Sequence, residues 1–341
     1  MRALVTGSTG FVGSNLIEAL NARGIDVVAL QEADAPQDAI RGLQYTPVIG
    51  DLLDAESLRR AVEGVDWVFH VAGIADYMRS SPSIIYKVNV DGTRNMLAAA
   101  REAGVKRFIH TSSAAALGVP ANGRFLLDES DSFNIEPGRF PYGHSKYLAE
   151  QIVREAAAAG FHALSVLPSI VIGPRDQGII CGDLVIQAAK RTVPAAPIGG
   201  AGYIDARDLA EAHIAAAERG APGEHYVLNG HNLSHREALD ITARVLGVKS
   251  PRLDLPRWML PAIGVVGDVL NGLGATLPFN RQRAWLGSQY LYYDSSKAAR
   301  ELGLTARPFS QSVRDTYEWY RTHGYLERKG VKNAPPIDEV C

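Results

Sequence analysis

Residues 6–13 read Thr-Gly-Ser-Thr-Gly-Phe-Val-Gly, between an apolar run at 2–6 and a stretch of helical periodicity at 11–23. At such a strand-to-helix junction each glycine has a separate job. Gly7 permits the tight turn, Gly10 lets backbone N–H groups approach a pyrophosphate, and Gly13 lets helix and strand pack closely. The helix N-terminus adds partial positive charge to the same place. The spacing is GxxGxxG, a variant of the GxGxxG dinucleotide fingerprint. With 33 glycines in the chain, three at this spacing also arise as an ordinary turn; their place after the first strand points to a dinucleotide.

The first 170 residues repeat that alternation. Segments 2–6, 26–30, 67–71, 107–111 and 163–167 read as buried parallel strands, and 11–23, 55–63, 84–103 and 142–159 as helices between them. Right-handed crossovers then place helices on both faces of one doubly wound α/β sheet. Beyond residue 168 prolines and glycines break the pattern. Residues 1–168 and 203–230 are expected to form the dinucleotide-binding (Rossmann) domain, 169–202 and 231–325 a smaller interleaved substrate lobe, and 326–341 a fraying tail. Ser295 or Asp294 can cap a helix beginning SSKAAREL, and Ser310 another.

The end of the second strand selects between cofactors, with an acid for the NAD ribose or an arginine for the NADP phosphate. Here it reads Gln31-Glu32, with no arginine before Arg41. Glu32 can bond a 2'-hydroxyl and repels a 2'-phosphate, which favours NAD over NADP. Asp51, after a third strand, can accept from an adenine amino group or serve as a turn or cap acid.

A Tyr and a Lys four residues apart share one helix face. Tyr142-Gly-His-Ser-Lys146 meets that condition, and an ammonium beside a phenol lowers the phenol's pKa from about 10 toward working pH. The phenol can then exchange a proton with an alcohol or carbonyl while hydride moves. Tyr293/Lys297 and Tyr325/Lys329 share the spacing. Only Tyr142 opens a long helix and follows a Ser-rich strand end, where Ser113 can hydrogen-bond a reacting oxygen or act as a turn former.

Composition excludes several classes. Of 341 residues, 46% are hydrophobic and 21% charged, with a net charge of −2, so neither a disordered chain nor a nucleic-acid binder is expected. Cys181 and Cys341 form no zinc or disulfide pattern, no metal site is expected, and the absence of a leader pattern points to a cytoplasmic setting. The longest apolar stretch, 255–277, carries Pro261, Asp268, Asn271 and four glycines. It reads as a segment packed over a greasy pocket, not a transmembrane span.

Together with His70-Val-Ala-Gly73, Asn89-Val-Asp-Gly-Thr93, Thr111-Ser-Ser-Ala114 and Tyr142-Gly-His-Ser-Lys146, the glycine loop makes nearly the whole chain resemble the extended short-chain dehydrogenase/reductases. Segments 111–119, 168–176, 203–213 and 294–303 are most similar to dihydroflavonol-reductase-like proteins and the hopanoid-associated sugar epimerase group. The resemblance implies catalysis by Ser113, Tyr142 and Lys146 with NAD or NADP. It implies cofactor contacts from Gly7, Gly10, Phe11, Val12 and Gly13, from Asp51 and Leu52, from Val71, Ala72 and Gly73, and from Asn89 and Pro168. It also implies a homodimer through the helices beginning near Ile84 and Tyr142.

Three departures bear on the reaction. Gln31 stands where related reductases carry Arg and related epimerases Asp. Leu117 replaces a family Tyr, and Ala114 follows Ser113 where dehydratases carry an acid. No cation occupies 196–202, where nucleotide-sugar enzymes place an arginine on a diphosphate. Tyr77, Met78 and Tyr203 suggest an apolar substrate pocket, though such residues also serve as core or lid. The expectation is therefore a reductase or dehydrogenase of a ketone, aldehyde or alcohol on a fairly hydrophobic small molecule. A sugar epimerase without net cofactor turnover is the second reading, and a silent NAD(P)-binding regulator the third.

Overall fold

Strand and helix alternate from the first residues of the computed structural model, which describes residues 1–75, 80–121, 123, 125–180, 182–273 and 280–326. In chain order the elements are β1 (Arg2–Thr6), α1 (Phe11–Ala22), β2 (Asp26–Gln31), β3 (Thr46–Ile49), α2 (Ala55–Ala61), β4 (Trp67–His70), α3 (Pro82–Tyr86), α4 (Gly92–Glu102) and β5 (Arg107–Thr111). Then come β6 (Leu126–Leu127), α5 (Pro141–Ala158), β7 (Ala163–Pro168), β8 (Ile170–Ile172), α6 (Asp183–Ala189), β9 (Ala195–Pro197), β10 (Gly200–Asp205), α7 (Ala206–Arg219) and β11 (His225–Leu228). The last are β12 (His231–Ser234), α8 (His235–Val245), β13 (Leu253–Leu255), α9 (Leu260–Gly272), α10 (Arg281–Gly287), β14 (Tyr290–Tyr293), α11 (Ser296–Leu302) and α12 (Phe309–Thr322).

Seven parallel strands lie in the order β11-β7-β5-β4-β1-β2-β3. This is a doubly wound Rossmann sheet, and its order reverses between β1 and β4, which opens a crevice beyond their carboxyl ends. On one face Leu16, Ile17 and Leu20 of α1 and Leu209 of α7 cover Val5, Val27 and Phe69. On the other, Leu58, Met96 and Val153 cover Leu4, Val28 and Phe108. Covering both faces explains the unbroken apolar strands; each such side chain contributes about 1.5–3 kcal/mol relative to exposure.

A second sheet, β12-β10-β14-β6 with β8 alongside β10, anchors the smaller lobe. Its core gathers Val185, Ile186, Tyr203, Val313, Tyr317 and Tyr320 from α6, β10 and α12.

The structure departs from the sequence reading in four places. Tyr203–Asp205, assigned above to the larger domain, pairs with β8 in the second sheet, so the chain rejoins the large sheet only through α7 and β11. The expected helix at 84–103 is split by a π-helical turn, Lys87–Asp91, whose wider ring turns Asn89 inward to bond Ile74 and Ser145. α12 begins with Pro308 at its N-cap, leaving Ser310 inside the helix, whereas at α11 Asp294, one of the two residues expected there, does accept from the Ser296 N–H through Oδ1. Leu326, placed in the tail, is buried against the smaller lobe's core. Tyr77, Met78, Cys181, residues 274–277 of the apolar stretch and the tail from 327 lie outside the described residues. Among the described residues no group of side chains can hold a metal, and no helix is long and apolar enough to cross a membrane.

Candidate active site

An open cleft of about 1800 Å³ runs from the glycine loop to the smaller lobe. At its start the backbone leaves no room for side chains. Gly7 has φ +63°, and a Cβ there would lie 2.9 Å from Ala72. A Cβ on Gly13 would meet the Gly7 carbonyl oxygen at 2.3 Å. α1 starts after Gly10 with no capping side chain and no acid in its first turn. Its leading N–H groups are therefore left to serve an anion, and Gly10, Phe11, Val12 and Gly13 line the cleft there. A pyrophosphate fits this cradle by shape and by charge.

Past the end of β2, Gln31, Glu32 and Asp34 form the next stretch of wall. Gln31 is buried, and its Oε1 accepts from Gln37 Nε2 at 3.0 Å. Arg41, the first arginine downstream, is exposed and paired with Asp38. Asp51 Oδ1 accepts from the Leu53 N–H at 2.8 Å, so the carboxylate shapes its own turn while lining the cleft with Leu52.

Val71, Ala72 and Gly73 continue the wall from the end of β4, held from beneath by a continuous run of hydrogen bonds. Ala72 N–H donates to Thr6 Oγ1 (3.0 Å), and Thr93 Oγ1 donates to the Asn89 carbonyl (2.6 Å). Thr93 Oγ1 is thus the acceptor for His70 Nε2–H (3.1 Å), and Thr6 donates to His70 Nδ1 (3.0 Å). Burial, then the Lys146 charge, pushes the His70 pKa down to about 3, so the ring is neutral and keeps this tautomer. Asn89 ties the same wall to α5: its Oδ1 accepts from the Ile74 N–H (2.8 Å) and its Nδ2 donates to Ser145 Oγ (2.9 Å).

α5 brings Tyr142 and Lys146 to the cleft one turn apart. Lys146 is almost wholly buried, and its Nζ donates to the Thr111 carbonyl at 2.9 Å. Burial lowers its pKa to about 8, which keeps it charged at neutral pH with little margin. Ser113 begins a short 3-10 turn after β5, where its Oγ accepts from the Ala115 N–H at 3.2 Å. Ser113, Tyr142, Lys146 and Pro168 share one cleft with the glycine loop.

A model of the NAD dependent epimerase/dehydratase family matches residues 3–228. The chain belongs to that family. It is 36% identical over 329 residues to a putative dihydroflavonol 4-reductase of Synechocystis sp., covering 95% of each chain. It is 32% identical over 324 residues to a 4-hydroxy-2-methyl-3-oxo-4-farnesyl-3,4-dihydroquinoline-1-oxide ketoreductase of Stigmatella aurantiaca, covering 92% of this chain and 95% of the relative. The crystal structure of gox2253 superimposes with a TM-score of 0.82 at 34% identity, covering 94% of this chain and 98% of that one.

In this epimerase/dehydratase family member the smaller lobe supplies a mostly apolar wall, including Val171, Ile179, Leu184, Tyr203, Leu286 and Leu291. Tyr203 is itself buried, its ring 5.0 Å from Phe309, so it is core on one side and wall on the other. Arg207, which follows β10, is held between Asp205 and Asp315. Arg283 does line the cleft.

Sequence reasoning missed three supports. His70 sits in the quoted His-Val-Ala-Gly run, but its partners Thr6 and Thr93 are remote in sequence. Glu150, one turn beyond Lys146, is buried and accepts from Ser112 Oγ (3.2 Å), with Arg154 and His225 around its other oxygen. Its i+4 spacing from Lys146 was the available signal. Gln177 reaches across to the glycine loop, with Nε2 donating to the Thr9 carbonyl (2.6 Å) and Oε1 accepting from the Ala39 N–H (3.1 Å). Nothing in its local sequence marks it.

Proposed function

We propose that the protein is an NAD(P)-dependent reductase or dehydrogenase that interconverts a carbonyl and an alcohol on a fairly hydrophobic small molecule. The observation that carries this is the buried Lys146 ammonium, four residues from Tyr142 on α5 and facing an apolar cleft. A bound nicotinamide cofactor supplies or accepts the hydride.

The chain's own groups handle the proton. Lys146 has its carbonyl partner in Thr111, and its charge favours the phenolate form of Tyr142. Tyr142 gives its proton to the carbonyl oxygen in reduction and takes it from the alcohol in oxidation. Ser113 donates to that same oxygen as charge gathers on it. Asn89, bonded to Ser145 and Ile74, holds α5 and the Val71–Gly73 wall in register. Glu32 and Asp34, with no cation beside them on the cleft wall among the described residues, favour NAD over NADP.

The test is Tyr142→Phe. Turnover should fall at least about a hundredfold, the usual worth of a general acid/base, while calorimetric NAD(P) affinity stays close to the native value. A Phe variant that still turns over apolar ketones sinks the assignment. Arg283 on the cleft wall favours a second reading, a sugar epimerase that oxidises and re-reduces one carbon. NAD retained through purification, with no net nicotinamide turnover, would select it.

A further inference from the structure

The outer surface of α9 is apolar where a water-facing helix carries charge. Its inward side is small or polar: Gly264 packs so closely on α10 that a Cβ would lie 2.8 Å from the Arg281 Cα, while Asp268 and Asn271 line the cleft. Its outward side shows Val265, Val266, Val269, Leu270 and Leu273, from 40% to 80% exposed. Asp268, its side chain 38% exposed, sits at the edge of this face and is paired with Arg281 at 3.1 Å; among the described residues it is the one charged side chain between 261 and 273. Trp258, 78% exposed, stands in the 3-10 turn Arg257–Met259 that leads into the helix, seven residues before Val265. Exposed Arg252 and Arg257 precede the helix in the chain, and Asp254 between them is already paired with Arg236.

A contiguous apolar face of this kind marks a docking surface. Its size argues against a second copy of the chain. A helix of 13 residues is about 20 Å long and about 10 Å wide, a footprint of roughly 200 Å². A standard protein interface covers about 800 Å² per partner. A lipid surface sets no such threshold, because a helix lying flat gains from each apolar side chain and from each cation near anionic headgroups. A tryptophan beside guanidinium groups is suited to the headgroup level.

We propose that α9, with Arg252, Arg257 and Trp258, docks on an anionic bilayer surface with its apolar face down. The helix then stands between the membrane and the cleft. On the reading of the site as one for an apolar carbonyl compound, this places the cleft's α9 wall next to the phase in which that substrate dissolves.

The experiment sediments the full chain with vesicles of phosphatidylcholine, alone or mixed with phosphatidylglycerol. The bound fraction should rise with phosphatidylglycerol and fall without vanishing in high salt. Val266→Glu combined with Val269→Glu should weaken binding at least about tenfold, and Arg252→Gln with Arg257→Gln should remove only the dependence on phosphatidylglycerol. None of these four residues lines the cleft, so unchanged NAD(P) affinity verifies that each variant is folded. A native protein that stays in the supernatant with both lipids overturns the proposal, as does a folded Glu pair that binds like the native chain. Self-association abolished by the Glu pair, without vesicle binding, would give the face to a second copy and overturn it too. Turnover of a detergent-dispersed apolar ketone separates the two ideas: activity without vesicle binding sinks the membrane surface alone, and vesicle binding without activity sinks the proposed reaction alone.

Discussion

At the cofactor end of the cleft, Gly7, Gly10 and Gly13 and the ends of β1, β4 and β5 belong to one parallel sheet and its first helix. At the substrate end, Tyr203, Asn271, Arg283 and Leu291 come from β10, α9, α10 and β14. The first region is shaped by backbone and by buried polar side chains, among them Thr6, His70, Thr93 and Asn89, that bond one another across the sheet. The second is shaped by side chains that meet only after the lobe has folded. A change at the cofactor end should therefore be costly almost whatever replaces the native residue, and a change at the substrate end should alter selectivity first.

The largest expected effect comes from acid. Burial holds His70 at about 3 and His213 at about 4, and it drives His110 well below the usual histidine value; all three pack within the large sheet or on α7. An unfolded chain binds protons on these rings below pH 6.5 and the folded chain does not, so stability falls as pH drops through that value. Between pH 7 and pH 5 His70 and His213 should each cost about 2 kcal/mol, and His110 acts in the same direction. Urea unfolding at the two pH values, with hydrogen exchange to locate the loss, measures this. The smaller lobe offers His235, also lowered by burial, as its counterpart. Loss of protection in the smaller lobe before the large sheet would break the contrast between the two regions.

Next in size is Gly13→Ala. The added methyl would meet the backbone oxygen of Gly7 at 2.3 Å, and that turn has nowhere to retreat because Gly7 itself abuts Ala72. Overpacking against backbone costs about 3 kcal/mol, equivalent to a roughly hundredfold weaker NAD(P) complex. Calorimetric titration of the variant gives the number directly. Near-native affinity would mean that the loop is held less tightly than its contacts require.

The same contrast explains what could be read from the sequence. The strands of the large sheet and the glycine loop are local signals: apolar runs, a turn, a helix start, each complete within a dozen residues. Tyr142 and Lys146 are legible because one helix carries both. The π-helical turn at Lys87–Asp91 is not, since the reason for it is Asn89 reaching Ile74 and Ser145, contacts that exist only when three segments have met. His70 and Gln177 are hidden for the same reason, and of Glu150 only its spacing from Lys146 is visible locally. The pairing of Tyr203–Asp205 with β8 was misread because one apolar strand looks like another until a partner chooses it. Of the apolar stretch read as packed over a pocket, the described part meets the protein along Gly264, Asp268 and Asn271, and no sequence feature alone says which of its faces looks outward.

The smallest expected effect lies at the substrate end, and it sharpens the choice of reaction. Arg283 sits in the first turn of α10, its N–H bonded to Asn280 Oδ1 at 2.8 Å, so the backbone fixes where its guanidinium starts. If the substrate is an apolar carbonyl compound, it does not call on the Arg283 charge, and kcat/KM of Arg283→Ala should change by less than about threefold. If the substrate carries a diphosphate, the same change removes a charge-assisted hydrogen bond worth about 1.5–3 kcal/mol, which is a loss of roughly ten- to a hundredfold in affinity. Because Arg207 is already held by Asp205 and Asp315, it cannot take over without breaking those pairs. Kinetics of the variant with ketones, beside calorimetry of the native chain with a nucleoside diphosphate, therefore separate the two substrates by the size of one small number.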